Sequence, residues 1–164
     1  MKVRKGSSNE VSVCISTRTH NVDAESVRSC ADFVLRKLGI RNSAVSFSLV
    51  GKTCMRRLNR EYKKHDYDTD VLSFPIEGDF NRSVAGNMRL LGEIVISLDT
   101  AVINAKRFAT SFTDELNLYV IHGILHLVGY DDISESASSV MTKKQTELLD
   151  KYKADNTGVS YGKK

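Results

Sequence analysis

Apolar and polar positions change period several times along this chain, and each change marks an element. Val11, Val13 and Ile15 alternate with polar neighbours, the two-residue period of a strand with one buried face. From Asp23 the period lengthens. Val27, Cys30, Ala31, Val34, Leu35 and Leu38 fall at helical spacing, with Asp23 suited to the N-cap and Gly39 to the stop. Cys30 on that stripe reads as core filling. Val45, Phe47 and Leu49 return to alternation and predict a second strand. Residues 53–64 predict a short helix with Met55, Leu58 and Tyr62 turned inward. Residues 70–75 (DVLSFP) form a short apolar run ended by Pro75. Residues 91–97 (LGEIVIS) predict a strand apolar enough to be covered on both faces. The polar stretch between them, 77–89, predicts a loop. Helices are then predicted over 99–109, 114–128 and 133–151, the last with Val140, Met141, Leu148 and Leu149 as apolar contacts.

This order predicts one α+β domain, a small mixed β-sheet packed with helices. Residues 10–151 would form it, between a flexible N-terminus at 1–9 and a polar, frayed C-terminal tail at 152–164.

Composition changes the picture little. A chain of 164 residues can bury a real core, and 41% hydrophobic with 27% charged residues excludes wholesale disorder. Three spread cysteines without a Cys-x-x-Cys pair argue against a disulfide framework and a cysteine zinc ribbon. No run has the length of a membrane span, and Met1 to Glu10 lacks the apolar stretch of a secretion signal. A cytoplasmic protein with no membrane partner is expected.

Charge is informative by position. The net +4 sits at the ends, because residues 6–150 hold 17 basic and 19 acidic side chains. One stretch departs from this. Residues 52–64 carry six basic side chains against Glu61, a local +5, with Arg56, Arg57, Arg60, Lys63 and Lys64 close together. Such a run is usually a solvated face and needs support from elsewhere to count as a binding surface.

That support comes from residues 122–132, HGILHLVGYDD. His122 and His126, four apart, share one face of a helix one turn apart and can reach a single cation. The rest of the helix is nearly all apolar, and two histidines buried there are costly unless something satisfies them. Gly123 costs about 1 kcal/mol relative to alanine inside a helix, so its smallness has a use. It also stands where a zinc peptidase of the H-E-x-x-H kind keeps its general base, so the helix is zincin-like without being a standard peptidase site. Gly129 breaks the helix and lets Tyr130, Asp131 or Asp132 swing back. Two histidines and a carboxylate leave coordination positions open, as a catalytic metal site requires. Of the two aspartates, one can cap the following helix while the other ligates.

The stretch HGILHLVGYDD resembles the H-G-x-L/I-H-L-x-G-Y-D-H signature of the YbeY family, metal-dependent endoribonucleases of bacterial rRNA maturation. Leu58-Asn59, Tyr62 and Thr69 to Pro75 resemble a second block of that family, and Leu91 to Ser97 a third. The resemblance covers about residues 10–150. It implies a single-strand-specific endoribonuclease of late rRNA processing, at the 16S rRNA 3′ end and in ribosome quality control. His122, His126 and Asp132 would hold one divalent cation per chain, Zn²⁺ first. Arg56, Arg57, Arg60, Lys63 and Lys64 would form an RNA-binding groove, and Lys63 and Asp131 would be catalytic. The implied partners are rRNA, the small ribosomal subunit and ribosomal proteins, with no DNA. Three positions depart from the family: Asp132 replaces its third metal histidine, Lys63 an arginine, and Glu93 an aspartate. Lysine keeps the charge of arginine but loses its bidentate fork for phosphate.

Two rivals remain at this level. One is a non-catalytic, metal-binding ribosome-assembly factor. The other takes two histidines and an aspartate as the facial triad of an iron oxygenase. Both histidines on one helix, with no β-barrel pattern, count against it.

Overall fold

A computed structural model describes residues 8–76 and 88–158. Strand β1 (Glu10–Ile15) leads to helix α1 (Ala24–Lys37), then to β2 (Ser43–Val50) and the short helix α2 (Lys52–Leu58). Residues Asn59–Lys63 continue α2 as a π-helical turn. Strands β3 (Val71–Pro75) and β4 (Arg89–Ser97) follow, then α3 (Leu98–Arg107), α4 (Phe112–Leu127) and α5 (Glu135–Gly158). The strands form one mixed sheet in the order β1-β2-β4-β3. β1 pairs with β2 and β2 with β4 in parallel, and β3 closes the far edge antiparallel to β4. The α+β class predicted from the pattern is the one observed. Among the described residues, no helix is long and apolar enough to cross a membrane.

Alternation along the strands divides the sheet into two unlike faces. Val45, Phe47 and Leu49 of β2 and Ile94 and Ile96 of β4 enter the main core with α1 and α4. The opposite face carries Ser46, Ser48 and Glu93, and is apolar only near β3, where Val50, Leu72 and Val95 meet Met55. Helix α1 begins as its sequence predicts: the Asp23 carboxylate accepts from the Glu25 amide, and Gly39 takes the left-handed φ of +74° that ends it. Cys14, Cys30 and Cys54 are free thiols, and burial pushes the Cys30 thiol up to about 12, an inert filler of the core.

Several details depart from the pattern. Tyr62 is 62% exposed rather than inward. The π turn adds a residue to the helical repeat and rotates everything after it, so Asn59 is buried instead and donates to the Tyr67 carbonyl. Strand β4 starts at Arg89, before the predicted Leu91, while residues 77–87 of the predicted loop lie outside the described residues. Residues 1–7 of the expected flexible start do so too. The last helix begins at Glu135, after a Ser134 hydroxyl that accepts from the Ala137 amide, leaving Ile133 91% exposed and outside the helix. Val140 faces solvent. The helix runs on to Gly158, past the boundary drawn at 151, because Tyr152 is buried against Phe33 with ring centroids 5.2 Å apart.

Candidate metal centre

Helix α4 crosses the apolar face of the sheet with most of its side chains buried, and it carries both histidines on a side that stays half-open. Gly123, between them in sequence, is where the helix comes closest to the sheet. A Cβ there would lie 2.5 Å from Ile94 Cγ2. The Gly123 carbonyl accepts from the Ser73 hydroxyl at 3.2 Å, which ties edge strand β3 to the same turn of the helix.

The imidazoles of His122 and His126 converge through their Nε2 atoms, 3.0 Å apart. Each ring is held by its other nitrogen. His126 Nδ1 faces the Tyr130 carbonyl oxygen at 3.1 Å. A carbonyl only accepts, so Nδ1 carries the proton and a neutral His126 presents a lone pair at Nε2. His122 Nδ1 meets Gln145 Oε1 of α5 at 2.8 Å, which orients the second ring in the same sense. Asp132 Oδ2 lies 3.9 Å from His126 Nε2. One ligand atom from each of His122, His126 and Asp132 falls within 4.8 Å of the others. Burial first, then the adjacent His122, hold the His126 imidazole below its usual range against the pull of Asp132, so the ring is unprotonated near neutrality. Lone pairs turned on one another beside a carboxylate are a poor arrangement by themselves and a good one around a cation. Two nitrogens and one oxygen suit zinc or a similar divalent ion, with positions left for water and substrate.

The tight return that presents Asp132 depends on Gly129, whose φ is +104°. The two aspartates divide their work. Asp131 Oδ1 accepts from the Ile133 amide at 3.2 Å, and Asp132 turns to the histidines. A cavity of about 400 Å³ opens beside the centre, lined among others by Lys63, Ser73, His126, Tyr130 and Asp131. Lys63 and Asp131, far apart in sequence, thus share a wall with a ligand histidine. Thr69 and Asp70 stand apart from this group: the Asp70 carboxylate accepts from the amide of Val71. His65 is exposed and stacks on Tyr67.

The basic face is partly occupied by its own chain. Arg56 Nε is 3.2 Å from Asp66 Oδ1, with Arg60 at 4.0 Å from the same oxygen. Lys52 pairs with Asp68 at 3.0 Å, and Lys64 Nζ donates to the Glu61 carbonyl. Arg57 makes only a 3.8 Å contact with Cys54 Sγ. Extending the count to residue 68 lowers the local charge from +5 to +3. Two contributors escape the sequence reading. Gln145 holds the His122 ring, and its signal is a polar residue on the buried stripe Met141, Leu148, Tyr152 of α5. The Tyr130 carbonyl is main chain and leaves no residue-type signal.

Comparison with known proteins agrees with this geometry. Residues 12–153 match the family model described as Endoribonuclease YbeY. A protein of that name from Salinibacter ruber is 39% identical over 132 residues, covering 80% of this chain and 84% of its own. Another from Treponema denticola is 37% identical over 148 residues, covering 89% and 95%. The solution structure of TM1509 from Thermotoga maritima superposes with a TM-score of 0.62 at 25% identity, covering 94% of this chain and 99% of that one.

Proposed function

This chain belongs to the YbeY endoribonuclease family, and from that premise we propose that it is a metal-dependent endoribonuclease, a hydrolase of phosphodiester bonds in single-stranded RNA. The observation that carries the metal dependence is the convergence of His122 and His126 through Nε2 beside Asp132. Those three residues would hold one divalent cation, Zn²⁺ by the chemistry of the donors. When bound, such an ion polarises a phosphoryl oxygen and brings the pKa of a coordinated water toward about 7.

The remaining work falls to side chains around the same cavity. The Lys63 ammonium, on the wall opposite His126, stabilises charge that develops on the phosphoryl oxygens. Asp131, anchored through Oδ1 to the Ile133 amide, keeps Oδ2 to take a proton from the attacking water. Tyr130 and Gln145 hold the ligand rings in one tautomer and spend no motion on doing so. Arg56, Arg57, Arg60 and Lys64 position the RNA backbone through phosphate contacts without reading sequence, Arg56 and Arg60 exchanging Asp66 for phosphate as they do so.

The substrate in the cell would be precursor rRNA of the small ribosomal subunit, at the 16S 3′ end and in quality control, in a cytoplasmic setting. Incubating zinc-loaded protein with matched single-stranded and duplex RNA tests the reading. Internal cuts confined to the single strand are expected. Cutting of both alike, or of neither, contradicts it.

A further inference from the structure

The polar face of the sheet holds a second cavity of about 400 Å³, within the ~300–1,000 Å³ of small-ligand sites. Leu58 and Val95 give it apolar walls. Tyr62 and Phe74 make a corner of two rings, 5.4 Å between centroids and 74° between planes. Ser48 and Glu93 supply the polar side, where the serine hydroxyl donates to Glu93 Oε1 at 2.8 Å. That bond fixes the carboxylate and leaves Oε2 and a second lone pair on Oε1 facing the cavity.

This cavity and the metal centre lie on either side of one edge of the fold. Along β3, Phe74 lines the former while Ser73 and Pro75 line the latter. Along the π turn, Tyr62 lines the former and Lys63 the latter. A polynucleotide laid across β3 would meet both. The two sites differ in what they accept. The metal centre and Lys63 suit a phosphate, whereas an anionic Glu93 between aromatic and aliphatic walls repels one and suits a flat, uncharged group with N–H donors. An unpaired base is such a group.

Glu93 also selects among bases. Guanine offers two adjacent donors on its Watson–Crick edge, N1–H and the 2-amino group, which match two carboxylate lone pairs. Adenine and cytosine set an amino group beside an acceptor nitrogen, and uracil flanks its single N–H with two carbonyls, so each places an acceptor against the carboxylate. We propose that this cavity binds an unpaired guanine of the RNA strand engaged at the metal centre, with Glu93 as the residue that specifies it. The proposal rests on the RNA-cleaving reading above.

The test is binding of short labelled single-stranded RNAs to zinc-loaded protein, followed by fluorescence anisotropy before cleavage proceeds. The strands differ only in one central base. Guanine is expected to bind roughly tenfold or more tightly than adenine, cytosine or uracil. Inosine, which lacks the 2-amino group, loses most of that gain in the unaltered protein. Glu93→Gln, an exposed position, brings the affinities for the four bases together. Equal affinity of the unaltered protein for all four overturns the guanine site and leaves the RNA reading standing. Absence of binding by any of the strands overturns both.

Discussion

His126 Nδ1 donates to the main-chain carbonyl of Tyr130 at 3.1 Å, and this single bond decides which nitrogen of the ring is free for a metal. Gln145 does the same for His122 through a side chain on another helix, at 2.8 Å. The Tyr130 bond is not open to side-chain mutation, but the Gln145 bond is. Gln145→Ala is expected to weaken zinc affinity roughly 10- to 100-fold, with the unfolding midpoint of the metal-free chain nearly unchanged. Competition against a chromophoric chelator measures it, and unaltered affinity would show that Gln145 does not orient the ring.

Gly123 lets α4 lie close on the sheet at Ile94. Gly123→Ala gains about 1 kcal/mol in helix propensity and forces a methyl into packed Ile94, an overpacking that costs about 1–3 kcal/mol. The expected result in urea unfolding is a net loss of stability, together with weaker metal binding as the histidines are displaced. A more stable variant would mean that Ile94 yields freely.

Lys63 lines the cavity beside His126 without being a ligand. Lys63→Ala is expected to lower kcat by roughly 10- to 100-fold, a transition-state loss, with zinc content unchanged and KM raised less than kcat falls. Lys63→Arg retains most of the activity. A change in KM alone would make Lys63 a strand-binding residue only.

Asp99 joins three segments. Its carboxylate accepts from the Lys52 amide at 2.6 Å and contacts His20 Nε2 at 2.7 Å. The amide first, then His20, hold its carboxyl below the ordinary value of 3.8. A carboxylate whose folded pKa is depressed adds stability above its unfolded pKa and loses it as pH falls through the folded one. Asp99→Asn should therefore be less stable than the unaltered chain at neutral pH, with the gap closing below about pH 4. A gap that stays constant down to pH 2 would exclude the ionic contribution.

The elements legible in the sequence are those whose period is set by burial. The stripe Val27, Cys30, Ala31, Val34, Leu35 packs as its spacing says because α1 is regular and has one partner layer. Tyr62 was misplaced because a π turn shifts helical phase, and apolar spacing carries no mark of it. Tyr152 was misplaced because its neighbours are polar, although it continues the stripe of Met141 and Leu148 by a further turn. At the site, His122 and His126 were legible because one helix fixes their separation. The Tyr130 carbonyl, the Gln145 amide and the cavity around Glu93 depend on chain segments that meet only after folding.

The central claim, that His122, His126 and Asp132 make a metal centre that cleaves RNA, is tested most directly by one cleavage assay. Zinc-loaded unaltered protein and the double variant His122→Ala/His126→Ala are each incubated with single-stranded precursor rRNA, and metal content is measured on the same samples. The account predicts cleavage with about one metal per chain in the former and neither cleavage nor metal in the latter. Cleavage that persists in the double variant would contradict it.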